Sequence, residues 1–291
     1  LTQPLLTIAV PTFNRPKHLR ELLDCLVAGL VPLTADEKSL VWIEVRDNAS
    51  EYDCRGLVAE VLGAVPHRYS RNPSNLGAEG NFLECIRTVA TEYVWLLGDD
   101  ELLPVGSLSK ILHVLREKKP ALCILSDGNF RYTDTPIEEF SSYGAFMSEV
   151  AKRNPYGVVA HSLISCNVFR RQGFQLDFAA AKAKTNYAHM YGLTPFLTGS
   201  VYLFPTPVPI IQVREIRAPF EDRVTNLKFK QNQYLAFLGK RWKVPPVRRY
   251  ALGKLFVLPF QNAAESFTNA KNWLLNQAKS TVKRLLGIQR P

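Results

Sequence analysis

Tyr93-Val94-Trp95-Leu96-Leu97-Gly98-Asp99-Asp100-Glu101 is the stretch on which the fold turns. An unbroken apolar run of this length reads as a strand covered on both faces, because a strand with one wet face would alternate. Gly98 ends the run, carboxylates follow, and a helical pattern begins near Val105 with Leu108, Ile111, Leu112 and Leu115. Two earlier segments have the same form. Thr7-Ile8-Ala9-Val10 leads into Pro11-Thr12-Phe13-Asn14-Arg15, and Val41-Trp42-Ile43-Glu44-Val45 leads into Arg46-Asp47-Asn48-Ala49-Ser50. In an open parallel sheet the C-terminal strand ends share one edge, and ligands bind in the crevice there. Adjacent carboxylates on that edge suit a hard divalent cation bridging to a diphosphate.

Between these strands the apolar period changes to that of a helix. Leu19, Leu22, Leu23 and Leu26 share one face, with Asn14 a candidate cap and Pro16 in the first turn. Phe82, Ile86 and Val89 mark a second helix, His67-Arg68-Tyr69 a weak third strand, and Ala121–Leu125 a further one. The βαβα order predicts an α/β fold with a mainly parallel sheet flanked by helices. Beyond Ser126 the rhythm breaks. Residues 127–157 read as loop-rich and Val158–Phe169 as one or two short strands. Val201–Ile211 carries Pro205, Pro207 and Pro209 and reads as an edge or a connector.

The 291 residues, 46% of them hydrophobic, allow one large domain or one domain with an annex. No run reaches the roughly 20 apolar residues that span a bilayer. Leu1-Thr2-Gln3-Pro4 lacks the basic start of a signal peptide, so none is expected, and the absence of an initiator Met points to a processed or trimmed chain. Cys25, Cys54, Cys85, Cys123 and Cys166 are scattered without metal-site spacing and are expected to be reduced thiols of a cytoplasmic protein. Charge is unevenly divided: residues 1–150 hold 14 Lys+Arg against 21 Asp+Glu, and residues 151–291 hold 22 against 5. The basic half calls for an anionic partner, whether nucleic acid, a membrane surface or a phosphate-bearing substrate. Near the C-terminus Phe267, Leu274, Leu275, Ala278, Val282 and Leu285 share a helical face beside Lys271, Lys279, Lys283 and Arg284. Such a helix either packs on the rest of the chain or lies in an anionic membrane interface, with Trp273 as an anchor in either case.

The order of motifs resembles family 2 glycosyltransferases of the GT-A (Rossmann-like) fold. The match lies in Thr7 to Arg15, then Asp47-Asn48-Ala49-Ser50, then Asn75-Leu76-Gly77-Ala78-Glu79-Gly80-Asn81, then Leu97 to Glu101. Each motif alone is weak; four in register are specific. The resemblance is firm over residues 5–125 and looser afterwards, and the Leu-Leu-Gly-Asp-Asp-Glu form is most similar to the branch containing abequosyltransferase-type enzymes of O-antigen assembly. It implies a catalytic unit over residues 1–215, with a nucleotide-binding half (1–125) and an acceptor half (126–215), then a basic, mainly helical extension over 216–291.

The resemblance also implies roles. Pro11, Thr12, Asn14 and Arg15 belong to the nucleotide pocket, Asp47 accepts hydrogen bonds from the base or ribose, and Asn75, Gly77 and Asn81 close over the nucleotide. Asp100 matches the last acid of the family's Asp-x-Asp and would hold Mn²⁺ or Mg²⁺. Gly98 stands where the first Asp is usual, so either Asp99 or Glu101 takes over its ribose or metal role. An inverting transfer needs a base for the acceptor hydroxyl. The family draws it from a Glu-Asp pair well past the metal motif, where this chain has Thr185-Asn186-Tyr187-Ala188-His189. His189 is the candidate there, as base, metal ligand or phosphate contact, and Asp222 of Glu221-Asp222 is the later candidate. The expected donor is a nucleotide diphosphate sugar. The expected acceptor is a bacterial surface glycan on a lipid carrier, met at the inner face of the cytoplasmic membrane through the basic helix. No nucleic-acid partner is expected.

Plainer readings stand beside these. Asp99-Asp100 is also a helix cap, Asp47-Asn48 a turn, Asn14-Arg15-Pro16 a helix start and Asn75–Asn81 a loop. His161 and His189 also fit structural histidines, and Arg170-Arg171 and Glu221-Asp222 also fit solvated pairs. A nucleotidyltransferase is disfavoured because Pro11 to Arg15 contains no glycine. A degenerate domain kept as a partner protein, or a module binding nucleic acid or an anionic membrane, remains the alternative.

Overall fold

The computed structural model describes residues 3–126, 138–153, 161–204, 210–213, 221–244 and 247. Its first half contains β1 (Leu6–Thr12), α1 (Pro16–Leu30), α2 (Ala35–Ser39), β2 (Val41–Asp47), α3 (Cys54–Leu62), β3 (His67–Arg71), α4 (Gly77–Thr88) and β4 (Tyr93–Leu96). There follow β5 (Glu101–Leu102), α5 (Ser107–Glu117), β6 (Leu122–Ile124), β7 (Glu139–Phe140), α6 (Tyr143–Arg153) and β8 (Asn167–Arg170). The last elements are α7 (Leu176–Ala180), α8 (Ala188–Leu193), β9 (Val201–Leu203), β10 (Gln212–Val213) and α9 (Glu221–Arg241).

The main sheet has the order β3-β2-β1-β4-β8-β6-β9-β7. β3, β2, β1 and β4 are parallel; β8 runs against both β4 and β6; β6 and β9 are parallel; and β7 closes the edge antiparallel. β5 and β10 form a separate antiparallel pair. Alternation along the central strands sends side chains to two apolar layers. Leu6, Ile8, Val10, Tyr93 and Trp95 meet the leucine faces of α1 and α5, whereas Ala9, Val94 and Leu96 meet residues of α4, α6, α8 and α9.

Local chemistry explains the entry to α1. Pro16 occupies the first helical turn, where its missing N–H costs nothing. Arg15 is the capping position, and Asn14 lies just outside the helix at φ 52°. Pro11 is tolerated inside β1 for a related reason. Thr12 O accepts from Asn48 N on the β2 side and Ala9 O from Leu97 N on the β4 side, so by alternation the nitrogen of Pro11 faces β4, where pairing has ended at Leu96.

Past β6 the structure departs from the expected loop. Tyr143, Phe146, Met147 and Val150 are buried at helical spacing on α6, a stripe obscured in sequence by the surrounding Ser, Gly and Tyr residues. β9 is an interior strand, not an edge, and it ends before the first proline of that segment. Pro205, Pro207 and Pro209, and the basic helix expected from Phe267 onward, lie outside the described residues. Among the described residues no helix is long and apolar enough to cross a membrane, and the five cysteines form no disulfide.

α9 belongs to the same apolar layer as β4 and α4. Its Tyr234 is stacked on Tyr187 at 5.3 Å, meets Tyr191 edge-on at 4.9 Å, and shares a 2.6 Å hydrogen bond with Thr194. Beside it, Gly192 on α8 leaves no room for a side chain. A Cβ there would lie 2.6 Å from Phe174 Cζ and 2.7 Å from Ala179 Cβ. Gly192→Ala should therefore destabilise the protein by about 1–3 kcal/mol through overpacking. The check is a lowered urea midpoint at unchanged denaturant slope.

Candidate active site

Where β4 ends, Gly98 N–H donates to Ser165 Oγ at 3.0 Å and the chain turns, bringing Asp99 and Asp100 to the sheet edge beside the end of β1. Thr12 Oγ1 donates to Asp99 Oδ2 at 2.8 Å. A single nitrogen, Arg15 Nη1, lies 2.8 Å from Asp99 Oδ1 and 2.8 Å from Asp100 Oδ2. The side chains of Asp99, Asp100 and Arg15 are 7%, 27% and 22% exposed, so the pair is partly desolvated and needs a cation. Burial raises the Asp99 pKa despite the opposing bonds from Thr12 and Arg15. Burial also works against the Arg15 charge, but the hydrogen bonds to Asp100 and Asp99 outweigh it and its pKa rises.

Asp47 is fully buried at the end of β2. Its Oδ1 accepts from Ser50 N at 2.8 Å, and its Oδ2 accepts from Tyr69 Oη at 3.0 Å and from Arg71 Nη1 at 2.6 Å. Both oxygens are thus engaged within the protein, where the expectation was a contact with base or ribose. Asp47 fixes Arg71, whose side chain is 44% exposed at the edge. Burial, then the bond to Asp47, pushes the Tyr69 phenol up to about 12. Asn14 likewise serves the loops, donating its N–H to Ser50 Oγ and accepting from Glu51 N with its side chain. Asn14 at φ 52° and Ala49 at φ 67° put two left-handed residues at the tips of β1 and β2. Such strain, of order 1–3 kcal/mol each, concentrates at ligand sites.

An asparagine chain secures the next loop. Asn48 Nδ2 donates to Asn75 Oδ1 at 2.8 Å and to Gly77 O at 3.2 Å, while its Oδ1 accepts from Asn72 Nδ2 and Leu76 N, each at 3.0 Å. Asn72 also donates to Asn81 Oδ1 at 2.9 Å, and Asn81 to Arg46 O at 3.3 Å. Gly77 starts α4 at φ 72°, a conformation that favours glycine. Asn81 is buried and anchors the segment from below, so its expected place over the nucleotide is corrected; Asn75 and Gly77 are exposed.

The expected metal trio of Asp100, Glu101 and His189 does not assemble. Among the described residues no three His, Cys, Asp or Glu side chains converge as a ligand group. Glu101 is buried in the β5–β10 pair. His189 is buried on α8, its Nε2 bonded to Ser162 O at 2.9 Å and its ring edge-on to Phe82. Burial lowers its pKa, and its Nδ1 is buried without a partner among the described residues, so it is poorly placed as a base. His161 is buried too, with a pKa pushed down to about 3 by burial. Asp222 lies in the first turn of α9, and its side chain is outside the described residues.

Arg71 and Asn72 were not singled out from sequence. Arg71 ends β3 and Asn72 follows it, and applying the strand-end rule to that weak strand would have found them. A separate cavity of about 290 Å³, lined by Lys110, His113, Glu138, Tyr202, Phe204 and Ile210 among others, shares no residue with this edge.

A parallel sheet whose strand ends gather a carboxylate pair and two arginines has the form expected of a GT-A glycosyltransferase. The chain matches the family described as Glycosyl transferase family 2 over residues 7–178 and belongs to that family. It is similar to the abequosyltransferase RfbV of Salmonella typhimurium (strain LT2), with 25% identity over 237 residues, covering 75% of this chain and 69% of the relative. Among solved structures it shares its fold with residues 1–349 of S. aureus TarS (TM-score 0.55, 13% identity, 91% of this chain and 92% of that one). It covers 39% of the longer TarS chain, with a TM-score of 0.53 and 13% identity. The mannosyltransferase PcManGT of Pyrobaculum calidifontis, solved with GDP-Man and Mn²⁺, gives a TM-score of 0.53 at 17% identity over 97% of this chain and 81% of its own.

Asn48→Ala would strip partners from Asn72, Asn75, Leu76 N and Gly77 O together. The expected cost is about 1–3 kcal/mol, with faster amide exchange at residues 76 and 77 than elsewhere in the sheet layer, read by hydrogen exchange.

Proposed function

We propose that this glycosyltransferase moves one sugar from a nucleotide diphosphate sugar to a hydroxyl of a bacterial surface glycan of the O-antigen type, carried on a lipid. The observation that carries the reading is the Arg15–Asp99–Asp100 cluster at the strand-end edge that β3 shares, where Arg71 stands two strands from β1. Two guanidiniums and a carboxylate pair on one edge suit a diphosphate with its counter-cation. The likeness to an abequosyltransferase supports the acceptor class. Fold relatives solved with UDP-GlcNAc and with GDP-Man and Mn²⁺ support the donor class.

Mn²⁺ or Mg²⁺ fits the residues present. Asp99 and Asp100 would hold it, because two of their oxygens already converge on one positively charged nitrogen, and magnesium-type sites use one or two carboxylates plus substrate phosphates. When bound, the ion would neutralise negative charge developing on the departing diphosphate. The chain's own contribution is then positional and electrostatic. Thr12 orients Asp99, Arg71 offers a cation held by Asp47, and the asparagine chain fixes the Asn75–Gly77 loop over the edge. The transfer inverts the anomeric centre, as is common in the family. Asp222 is the carboxylate proposed to take the acceptor's proton, and the basic region 216–291 is proposed to meet the anionic inner face of the cytoplasmic membrane.

The test is calorimetric titration of UDP, CDP, GDP and dTDP, with and without Mn²⁺, into wild type and Asp100→Ala. The expected outcome is micromolar binding of one nucleotide that requires both Mn²⁺ and Asp100. Binding of none would overturn the transferase reading. Affinity for anionic vesicles that collapses with salt would then favour a surface-binding module. Asp222→Asn should lower kcat by about 10²–10⁴-fold while leaving nucleotide binding unchanged; full activity would remove Asp222 as the base.

A further inference from the structure

We propose that Arg15 is the resident counter-cation of Asp99 and Asp100, and that it admits a divalent ion to the pair only together with the donor's diphosphate. The inference rests on the metal-dependent reading above and concerns what the site does before the donor arrives.

Arg15 Nη1 is 2.8 Å from one oxygen of each acid, so the guanidinium stands where both carboxylates would contact a metal ion. Both contacts use Nη1, and Nε and Nη2 are bonded to none of the described residues. Arginine stays charged at any working pH, so its charge cannot be shed by deprotonation. A free metal ion must therefore displace a fixed positive charge from the pair, and the displaced guanidinium then repels it. Among the described residues no third ligand converges to offset that cost. A diphosphate changes the balance. It can supply further oxygens to the metal and an acceptor for the released guanidinium, whose planar fork suits phosphate.

The local backbone favours such a swing of the side chain alone. Arg15 caps α1 between Asn14, tied by its N–H to Ser50 and by its side chain to Glu51 N, and Pro16, which holds the first turn. The long side chain can change partner while its Cα stays in place. Thr12 continues to hold Asp99 through Oδ2, away from the oxygen that Arg15 uses. Arg15 is thereby a positioning residue for metal entry. Metal and nucleotide should bind with positive coupling, by linkage each raising the other's affinity by the same factor, typically 5–150-fold.

The experiment is Mn²⁺ titration followed by electron paramagnetic resonance of the free ion, using wild type, Arg15→Gln, Arg15→Lys and Asp100→Ala. Each is measured alone and with saturating UDP, CDP, GDP or dTDP, after melting curves establish that the variants are folded. Wild type should bind Mn²⁺ weakly alone and at least about fivefold more tightly with the matching nucleotide. Arg15→Gln should bind Mn²⁺ alone about tenfold or more tightly than wild type and lose most of the coupling, with Arg15→Lys between them. Equal affinity of wild type and Arg15→Gln for Mn²⁺ alone, with coupling intact in both, would overturn the role of Arg15 and leave metal dependence standing. Weaker Mn²⁺ binding by folded Arg15→Gln would also overturn it. No Mn²⁺ uptake by wild type with any nucleotide would overturn the metal-dependent reading and this proposal together.

Discussion

Carboxylates placed at the end of a buried parallel sheet cannot remain charged unless a cation follows them out of water, and this chain meets that requirement with arginines from neighbouring strands. Asp99 and Asp100 after β4 are held by Arg15 after β1. Asp47 at the end of β2 is held by Arg71 at the end of β3. Three residues earlier in β2, Glu44 is bonded by Arg46, Arg68 and Thr88. Removing one member of such a pair strands the other, at about 3–5 kcal/mol for a buried pair. At the strand ends these pairs tie β1 to β4 and β2 to β3, and the Glu44 cluster adds a second tie between β2 and β3, so the same interactions serve stability and site geometry.

The loops at that edge are rigid for a related reason. Their polar groups are satisfied by one another and by side chains of the sheet. Ser50 bonds Asn14 and Arg71 through separate atoms, and Asn48 bridges the β2 tip to the start of α4. Left-handed backbone at Asn14 and Ala49 persists because these bonds over-determine it. A preorganised edge with an exposed guanidinium at Arg71 and a partly buried one at Arg15 loses little order when an anion binds, and that favours affinity over adaptability.

Sequence periodicity reached the parts of this design that are local. The apolar runs of β1, β2 and β4 and the leucine stripe of α1 follow from strand and helix periods, and the strand-end rule placed Asp99, Asp100 and Asp47 on one edge. The partners of those acids were less legible. Arg15 and Asp99 lie 84 residues apart, and no spacing rule joins them. β8 inserts antiparallel between β4 and β6, and its four residues carry no local sign of which strands they join. His189 shows the opposite failure. Its position suggested chemistry, yet a histidine's type says nothing of its burial, and here Phe82 and Ser162 enclose the ring.

The departure at Gly98 follows from the same geometry. A Cβ at this position would stand 3.0 Å from Asp100 Oδ1 and 3.4 Å from Ser165 Oγ, the atom that accepts the Gly98 N–H. A carboxylate at residue 98 would crowd the turn and set a third negative charge beside two that already share one guanidinium. Moving the acid one residue along avoids both problems. Asp99 reaches Thr12 and Arg15 without disturbing the turn and supplies the second carboxylate beside Asp100. Glycine at residue 98 thus leaves Asp100 Oδ1 its place in the turn, and Asp99 and Asp100 are the two acids that meet Arg15.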